Sequence, residues 1–120
     1  MRYFNVIGAD PHGRIGPVLN HEEQWDFPRV VDAAMDAAMG QRPTLRIMGN
    51  QFPTSDGTAV RDYIHVSDLV QAHLDVLLRL DPSEPLVYNV GVGRGYTVNE
   101  VRAVVEQVAG KKVPWEVAPP

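Results

Sequence analysis

LVYNVGVGRGYTVNE, residues 86–100, is the stretch whose reading decides the fold. Leu86 to Val90 is a short apolar run rich in strand formers. Gly91, Gly93 and Gly95 follow as a turn. Thr97-Val98-Asn99-Glu100 then has the spacing of a capping box, in which the threonine hydroxyl meets the Glu100 amide and the glutamate reaches back. Val98, Val101, Val104, Val105 and Val108 recur at helical spacing, and Gly110 closes the helix. Strand, glycine turn and capped helix make one α/β unit.

The same alternation extends outward in both directions. RYFNVI (2–7), TLRIMG (44–49) and AVRDYIHV (59–66) read as strands, and KVPWEV (112–117) as a final one. Pro28 is a favoured first helical residue. Val30, Val31, Ala34, Ala37 and Ala38 continue that helix to Gly40. Ser67 is placed to cap the next helix, with Asp68 near its positive end and Leu69, Val70, Leu74, Leu77 and Leu78 as its apolar face. Residues 8–26 form a long polar loop, of a length that is often functional. GNQFPTSDGT (49–58) is turn-rich and hairpin-like. Strands that alternate with helices define an α/β class with parallel pairing.

Composition narrows the function. The chain has 120 residues, 44% hydrophobic and 22% charged, which is globular rather than disordered. Net charge is −4 and the largest basic cluster is Lys111–Lys112, so no nucleic-acid footprint exists. Without cysteine there are no disulfides or thiolate metal sites. No apolar run approaches the roughly 20 residues of a membrane span, and MRYFNVIGAD lacks the long apolar core of a signal peptide. A cytoplasmic protein with neither membrane nor nucleic-acid partners is expected.

Several motifs admit two readings. The glycine turn sits where a dinucleotide fingerprint would, with Glu116 about 20 residues on. Yet the spacing is G-x-G-x-G, and Tyr96 stands in the third glycine's place, where a side chain obstructs helix–strand packing. A tight strand-to-helix turn is the plainer explanation. His65, Asp68 and His73 invite a metal reading, but zinc needs three or four convergent ligands, and structural histidines account for them better. No G-x-S-x-G elbow supports a Ser-His-Asp triad. His21, Glu22, Glu23 and Asp26 read as a solvated run. Arg61 is the strongest site candidate: its planar fork suits phosphate or carboxylate. The alternative is an ion pair with Asp56 or Asp62, and the residues alone favour that.

RYFNVIGADPHGRIG (2–16), FPTSDGTAVRDYIHVSDLVQAH (52–73) and VYNVGVGRGYTVNEV (87–101) resemble three consecutive signatures of the UDP-glucose 4-epimerase family, within the extended short-chain dehydrogenase/reductases. The resemblance covers almost the whole chain, but only the C-terminal portion of the family. It implies a Rossmann-type NAD-dependent epimerase. Residues 1–120 are then its C-terminal UDP-sugar-binding domain, the N-terminal NAD-binding domain is absent, and part of the parallel sheet is missing. The family interconverts UDP-glucose and UDP-galactose in galactose metabolism, through a 4-keto intermediate with bound NAD, and its members are often homodimers. By resemblance Asn5 contacts the UDP diphosphate and Arg61 grips it, against the ion-pair reading. Leu45, Arg46, Ile47 and Met48 flank the uracil. Phe52 stands where a tyrosine is usual. Tyr3 and Phe4 lie by the nicotinamide end of the cofactor.

The sequence also departs from the family pattern. The catalytic Tyr-x-x-x-Lys is absent: four residues after Tyr3, Tyr63, Tyr88 and Tyr96 stand Ile7, Ser67, Val92 and Glu100. The cofactor loop and catalytic Ser/Thr are absent too, and no catalytic residue is assigned. Gln24-Trp25-Asp26-Phe27-Pro28 replaces Asn-Asn-Leu-Met-Pro, which removes amide donors to substrate. Met1 opens directly on a strand that is interior in the family. The chain is therefore expected to be part of a longer protein or a truncated reading frame, with RYFNVI short of partners and poorly protected. The alternatives to the epimerase reading are a non-catalytic remnant that binds a sugar nucleotide weakly or not at all, and an epimerase of a UDP-pentose or UDP-N-acetylhexosamine.

Overall fold

The computed structural model describes residues 1–15, 29–81, 83 and 87–119. Ten elements run in the order β1 (Arg2–Tyr3), β2 (Asn5–Ile7), α1 (Val30–Ala38), β3 (Leu45–Met48), β4 (Val60–His65), α2 (Val66–Leu77), β5 (Asn89–Val90), β6 (Gly95–Thr97), α3 (Val98–Ala109) and β7 (Trp115–Ala118). The expected α/β alternation is present. The chain divides into two compact units, Met1–His21 with Asp62–Arg94, and Glu22–Arg61 with Gly95–Pro120. No described helix is long and apolar enough to cross a membrane.

In the first unit, RYFNVI is not one strand. It breaks at Phe4 into β1 and β2, and each half has its own parallel partner. Arg2 and Tyr3 pair with Asn89 and Val90, while Asn5, Val6 and Ile7 pair with Tyr63, Ile64 and His65. Among the described residues each half is paired along one side, β1 with β5 and β2 with β4. The cap of α2 also differs. The helix begins at Val66, and His65 is its N-cap: Nδ1 accepts the Ser67 amide at 3.1 Å. Ser67 therefore lies inside the helix, where its own amide is the one being capped. Of the anticipated apolar face, Leu69 is buried. Val70, Leu74, Leu77 and Leu78 are exposed.

In the second unit, β3 and β7 pair in parallel, Leu45 with Trp115 through Met48 with Ala118, and β6 is hydrogen-bonded to β4. Pro114 explains why the last strand starts later than the sequence suggests. It has no amide to give to a ladder, but its carbonyl accepts the Leu45 amide at 2.7 Å. The core of this unit comprises Ala33, Ala34, Ala37 and Ala38 of α1, Leu45 and Ile47 of β3, Val105 of α3, and Val113. Small side chains along α1 let it approach its neighbours closely. The capping box of α3 is complete. Thr97 Oγ1 accepts the Glu100 amide at 3.0 Å and Glu100 Oε2 accepts the Thr97 amide at 2.7 Å.

Past the end of α3 the chain is held by Glu106. Its Oε1 accepts the Val113 amide at 3.0 Å and the Arg102 guanidinium at 3.1 Å. Its Oε2 takes Lys112 at 3.4 Å. The bond from the Val113 amide, with the two cations, holds this carboxyl below its ordinary range despite some desolvation. Arg102 also covers the Trp115 ring at 5.3 Å.

Because Ile47 is 1% exposed in this core, Ile47→Ala should destabilise the chain by about 2–5 kcal/mol. Ala34, with no exposed surface, has no room to grow, so Ala34→Leu should cost about 1–3 kcal/mol. Urea unfolding followed by circular dichroism measures both.

Candidate functional site

The segment Asn50–Arg61 is built around one carboxylate. Asp56 Oδ1 accepts the Thr58 amide at 2.9 Å and the Thr58 hydroxyl at 2.7 Å, a side-chain turn typical of aspartate. Asp56 Oδ2 accepts the Thr97 hydroxyl at 2.6 Å. The loop closes further through Phe52 N–H to the Gly57 carbonyl at 2.9 Å and Thr54 Oγ1 to the Thr58 carbonyl at 2.8 Å. Residues 49–58 thus form a compact loop without strands rather than a hairpin. Gly57 has φ +79°, and a Cβ there would strike the Asn50 carbonyl. The close backbone approach made here is to Asn50.

This loop also satisfies the start of α3. Val98 N–H donates to the Ala59 carbonyl at 3.1 Å. Asn99 N–H donates to Thr58 Oγ1 at 3.4 Å. Glu100 N–H donates to Thr97 Oγ1. Helix amides that would otherwise point at a bound phosphate are already committed. The glycines of the 91–95 turn have packing reasons instead. A Cβ on Gly91 would lie 2.7 Å from both Asp62 Oδ2 and Phe4 Cδ2, and one on Gly95 would strike Val60. The turn joins β5 to β6, with α3 following β6, rather than passing straight from strand to helix.

Asp62 is held inside the first unit. Its two oxygens accept the Val92 amide at 2.9 Å and the Gly93 amide at 2.8 Å. Asp62 thus organises the glycine turn, and Asp56 organises its own loop. Neither forms the ion pair with Arg61 that the bare sequence favours. Arg61 is exposed, and its Nη1 donates to the Val60 carbonyl at 3.0 Å. Among the described residues it has no carboxylate partner.

The remaining candidates occupy different surroundings. Leu45 and Ile47 are each 1% exposed, so their side chains belong to the core and any ligand contact from them is left to the backbone. Arg46 and Met48 alternate outward, Arg46 beside Glu116 at 3.9 Å on β7. Phe52 borders a cleft of about 510 Å³ with Gly49, Asn50, Gln51, Val117, Ala118 and Pro119. Arg46 and Arg61 are not among the residues lining it. Tyr3 and Phe4 are 53% and 55% exposed, and Asn5 begins β2. The Tyr3 ring meets His73 edge-on at 6.2 Å. His73 Nδ1 lies 2.8 Å from the Leu69 carbonyl and His65 caps α2, so both have structural roles. Among the described residues no three His, Cys, Asp or Glu side chains form a metal-binding group. His21 to Asp26 and the Gln24–Pro28 departure lie outside the described residues.

Sequence reasoning misses Thr58, and it misses Asp56 as a hub. The D-G-T signature announces the local turn, but nothing in the sequence links Asp56 to Thr97. Desolvation raises the Asp56 pKa, but hydrogen bonds from Thr97 and Thr58 outweigh it and hold the carboxyl below its ordinary 3.8. A carboxyl depressed on folding stabilises the chain above its unfolded pKa, and that contribution is lost as pH falls through the folded value. Asp56 should therefore add to the loss of stability in acid, below pH 3.8. In Asp56→Asn that part of the pH dependence should disappear. Urea midpoints measured at descending pH check this.

Comparison with known proteins places this geometry. The chain is 47% identical over 118 residues to a UDP-glucose 4-epimerase of Azospirillum brasilense, covering 95% of this chain and 32% of that protein. It is 44% identical over 116 residues to a probable UDP-arabinose 4-epimerase of Oryza sativa subsp. japonica, covering 97% of this chain and 28% of that protein. Among solved structures it matches the UDP-glucose 4-epimerase from Bifidobacterium longum in complex with NAD+ and UDP, with TM-score 0.84 and 38% identity over 98% of this chain and 34% of that one. The enzyme from Stenotrophomonas maltophila, with bound NAD and formylated UDP-arabinopyranose, gives TM-score 0.87 at 34% identity over the same shares. The chain spans about a third of the length of these relatives. Residues 1–91 match the model of the NAD dependent epimerase/dehydratase family, and with the parallel α/β architecture and the three signatures in order, the chain belongs to that family.

Proposed function

We propose that this chain is the UDP-sugar-binding portion of a UDP-sugar 4-epimerase, and that Arg61 holds the diphosphate. One observation carries the reading. Arg61 lies between two aspartates in sequence, and both are committed elsewhere, Asp56 to Thr58 and Thr97 and Asp62 to Val92 and Gly93. An exposed guanidinium without a carboxylate has its donor fork available to an anion. The relatives' substrates support the choice of anion. A UDP-glucose and a UDP-arabinose enzyme share the UDP moiety and differ in the sugar, so the proposal is made at UDP.

The roles of the other residues accord with the same reading. Phe52 and its cleft offer an apolar wall for the uracil ring, with the backbone of β3 and the exposed Arg46 and Met48 near it in sequence. Tyr3 and Phe4 present exposed aromatic faces suited to the nicotinamide end of NAD. The first amides of α3 are taken by Ala59, Thr58 and Thr97, so that helix end does not offer them to the cofactor's diphosphate. Bound NAD supplies the hydride acceptor and donor of the reaction. This chain's share is to bind and orient the nucleotide sugar. No Tyr-x-x-x-Lys occurs in its 120 residues, so the proton-transferring tyrosine of the family is not among them. In this reading the residues form the C-terminal, UDP-sugar-binding part of a cytoplasmic enzyme.

The isolated chain should not interconvert UDP-glucose and UDP-galactose, since general acid–base catalysis alone is typically worth ~10²–10⁴-fold and no base is present. Turnover by pure chain with added NAD would disprove this. Charge-assisted hydrogen bonds contribute about 1.5–3 kcal/mol, so Arg61→Ala should weaken UDP binding by about 10- to 150-fold. Arg61→Lys should recover part of the loss, because it keeps the charge and loses the fork. NMR titration with UDP measures this, and equal affinity in wild type and Arg61→Ala would remove Arg61 from the site.

A further inference from the structure

We propose that Asp56 is a positioning residue for the nucleotide cleft, fixing the wall Asn50–Phe52 by tying it to the start of α3. The proposal rests on the reading of the chain as a UDP binder and adds to it a residue with no ligand contact of its own.

Three connections in one unit carry it. Asp56 Oδ2 takes the hydroxyl of Thr97, the N-cap of α3, at 2.6 Å. Asp56 Oδ1 takes both the amide and the hydroxyl of Thr58, and that hydroxyl oxygen in turn accepts the Asn99 amide at 3.4 Å. Gly57, held between them, meets the cleft wall twice. Its carbonyl accepts the Phe52 amide at 2.9 Å, and its α-carbon sits so close to the Asn50 carbonyl that no side chain fits. Asn50 and Phe52 both line the 510 Å³ cleft. A shift of Asp56 is therefore a shift of Gly57, and a shift of Gly57 moves the wall. The helix is the rigid end of this linkage, because Val105 anchors α3 in the core.

The chemistry of the link is specific. Thr97 Oγ1 already accepts the Glu100 amide, so its hydrogen is free to go to an acceptor. A carboxylate oxygen is a strong one. Asparagine at position 56 can serve Thr58 with its carbonyl, but its amino group cannot accept from Thr97. Valine at position 97 removes the hydroxyl, whereas serine keeps it.

The experiment uses the 120-residue chain and two readouts. Amide hydrogen exchange without ligand reports the Phe52 N–H, and NMR titration with UDP reports the cleft. Asp56→Asn and Thr97→Val should each speed Phe52 exchange by roughly tenfold, while the Val105 amide keeps its protection. Both should lower UDP affinity by roughly tenfold, and Thr97→Ser should match wild type on both readouts. If wild type does not bind UDP, the function reading fails, and Phe52 exchange alone decides on Asp56. Unchanged Phe52 exchange in both variants overturns the proposal. So does faster exchange with unchanged UDP affinity in a wild type that binds. A lower melting temperature with both readouts unmoved would make Asp56 a purely structural residue and overturns it as well.

Discussion

An α-helix leaves its first amides without partners inside itself, and something outside must accept them. For α3 that acceptor is the loop ahead of β4. The Ala59 carbonyl, the Thr58 hydroxyl and the Thr97 hydroxyl take Val98, Asn99 and Glu100 in turn. One carboxylate, Asp56, holds the two threonines in place for this. Its negative charge also lies near the positive end of the helix dipole, where it is favoured. The beginning of α3, the shape of the Asn50–Thr58 loop and the approach to β4 are consequences of one arrangement.

The same competition for partners governs the charges around Arg61. A stretch that carries an arginine between two aspartates in sequence would ordinarily neutralise itself. Here the backbone competes for the carboxylates and wins. Asp62 gains two amides of a glycine turn, and Asp56 gains an amide and two hydroxyls. Hydrogen bonds to an ionised group exceed an exposed ion pair in value, since the latter is commonly worth ~0–1 kcal/mol. The arginine is left over as a result, without a carboxylate partner among the described residues.

Local signals in the sequence are reliable here, and long-range ones are not readable. Thr97 to Glu100 announces its capping box, and Gly110 its helix end. Each of these depends on residues within a few positions of one another. The break at Phe4 escapes the sequence because β1 and β2 obtain different partners, Asn89 and Tyr63, and propensity says nothing about partners. His65 displaces Ser67 as a cap because an imidazole nitrogen substitutes for a hydroxyl oxygen, a substitution outside the usual capping preferences. The site is legible only in part. Arg61 and Phe52 stand out by residue type and by resemblance, while the Asp56–Thr97 link joins positions that no periodicity connects.

The parallel pairings also set how the chain must assemble. Arg2 finds Asn89, Asn5 finds Tyr63, and Leu45 finds Trp115. Parallel strands admit no tight hairpin between them, so each pairing closes a long loop before its contacts can compensate for the lost chain entropy. Topologies dominated by such distant contacts fold slowly compared with helical bundles of similar size. The helices, whose contacts are local, have time to form before any of these pairs closes. During synthesis β1 and β3 emerge long before β5 and β7 exist to receive them. An edge that waits for its partner is open to any strand that passes.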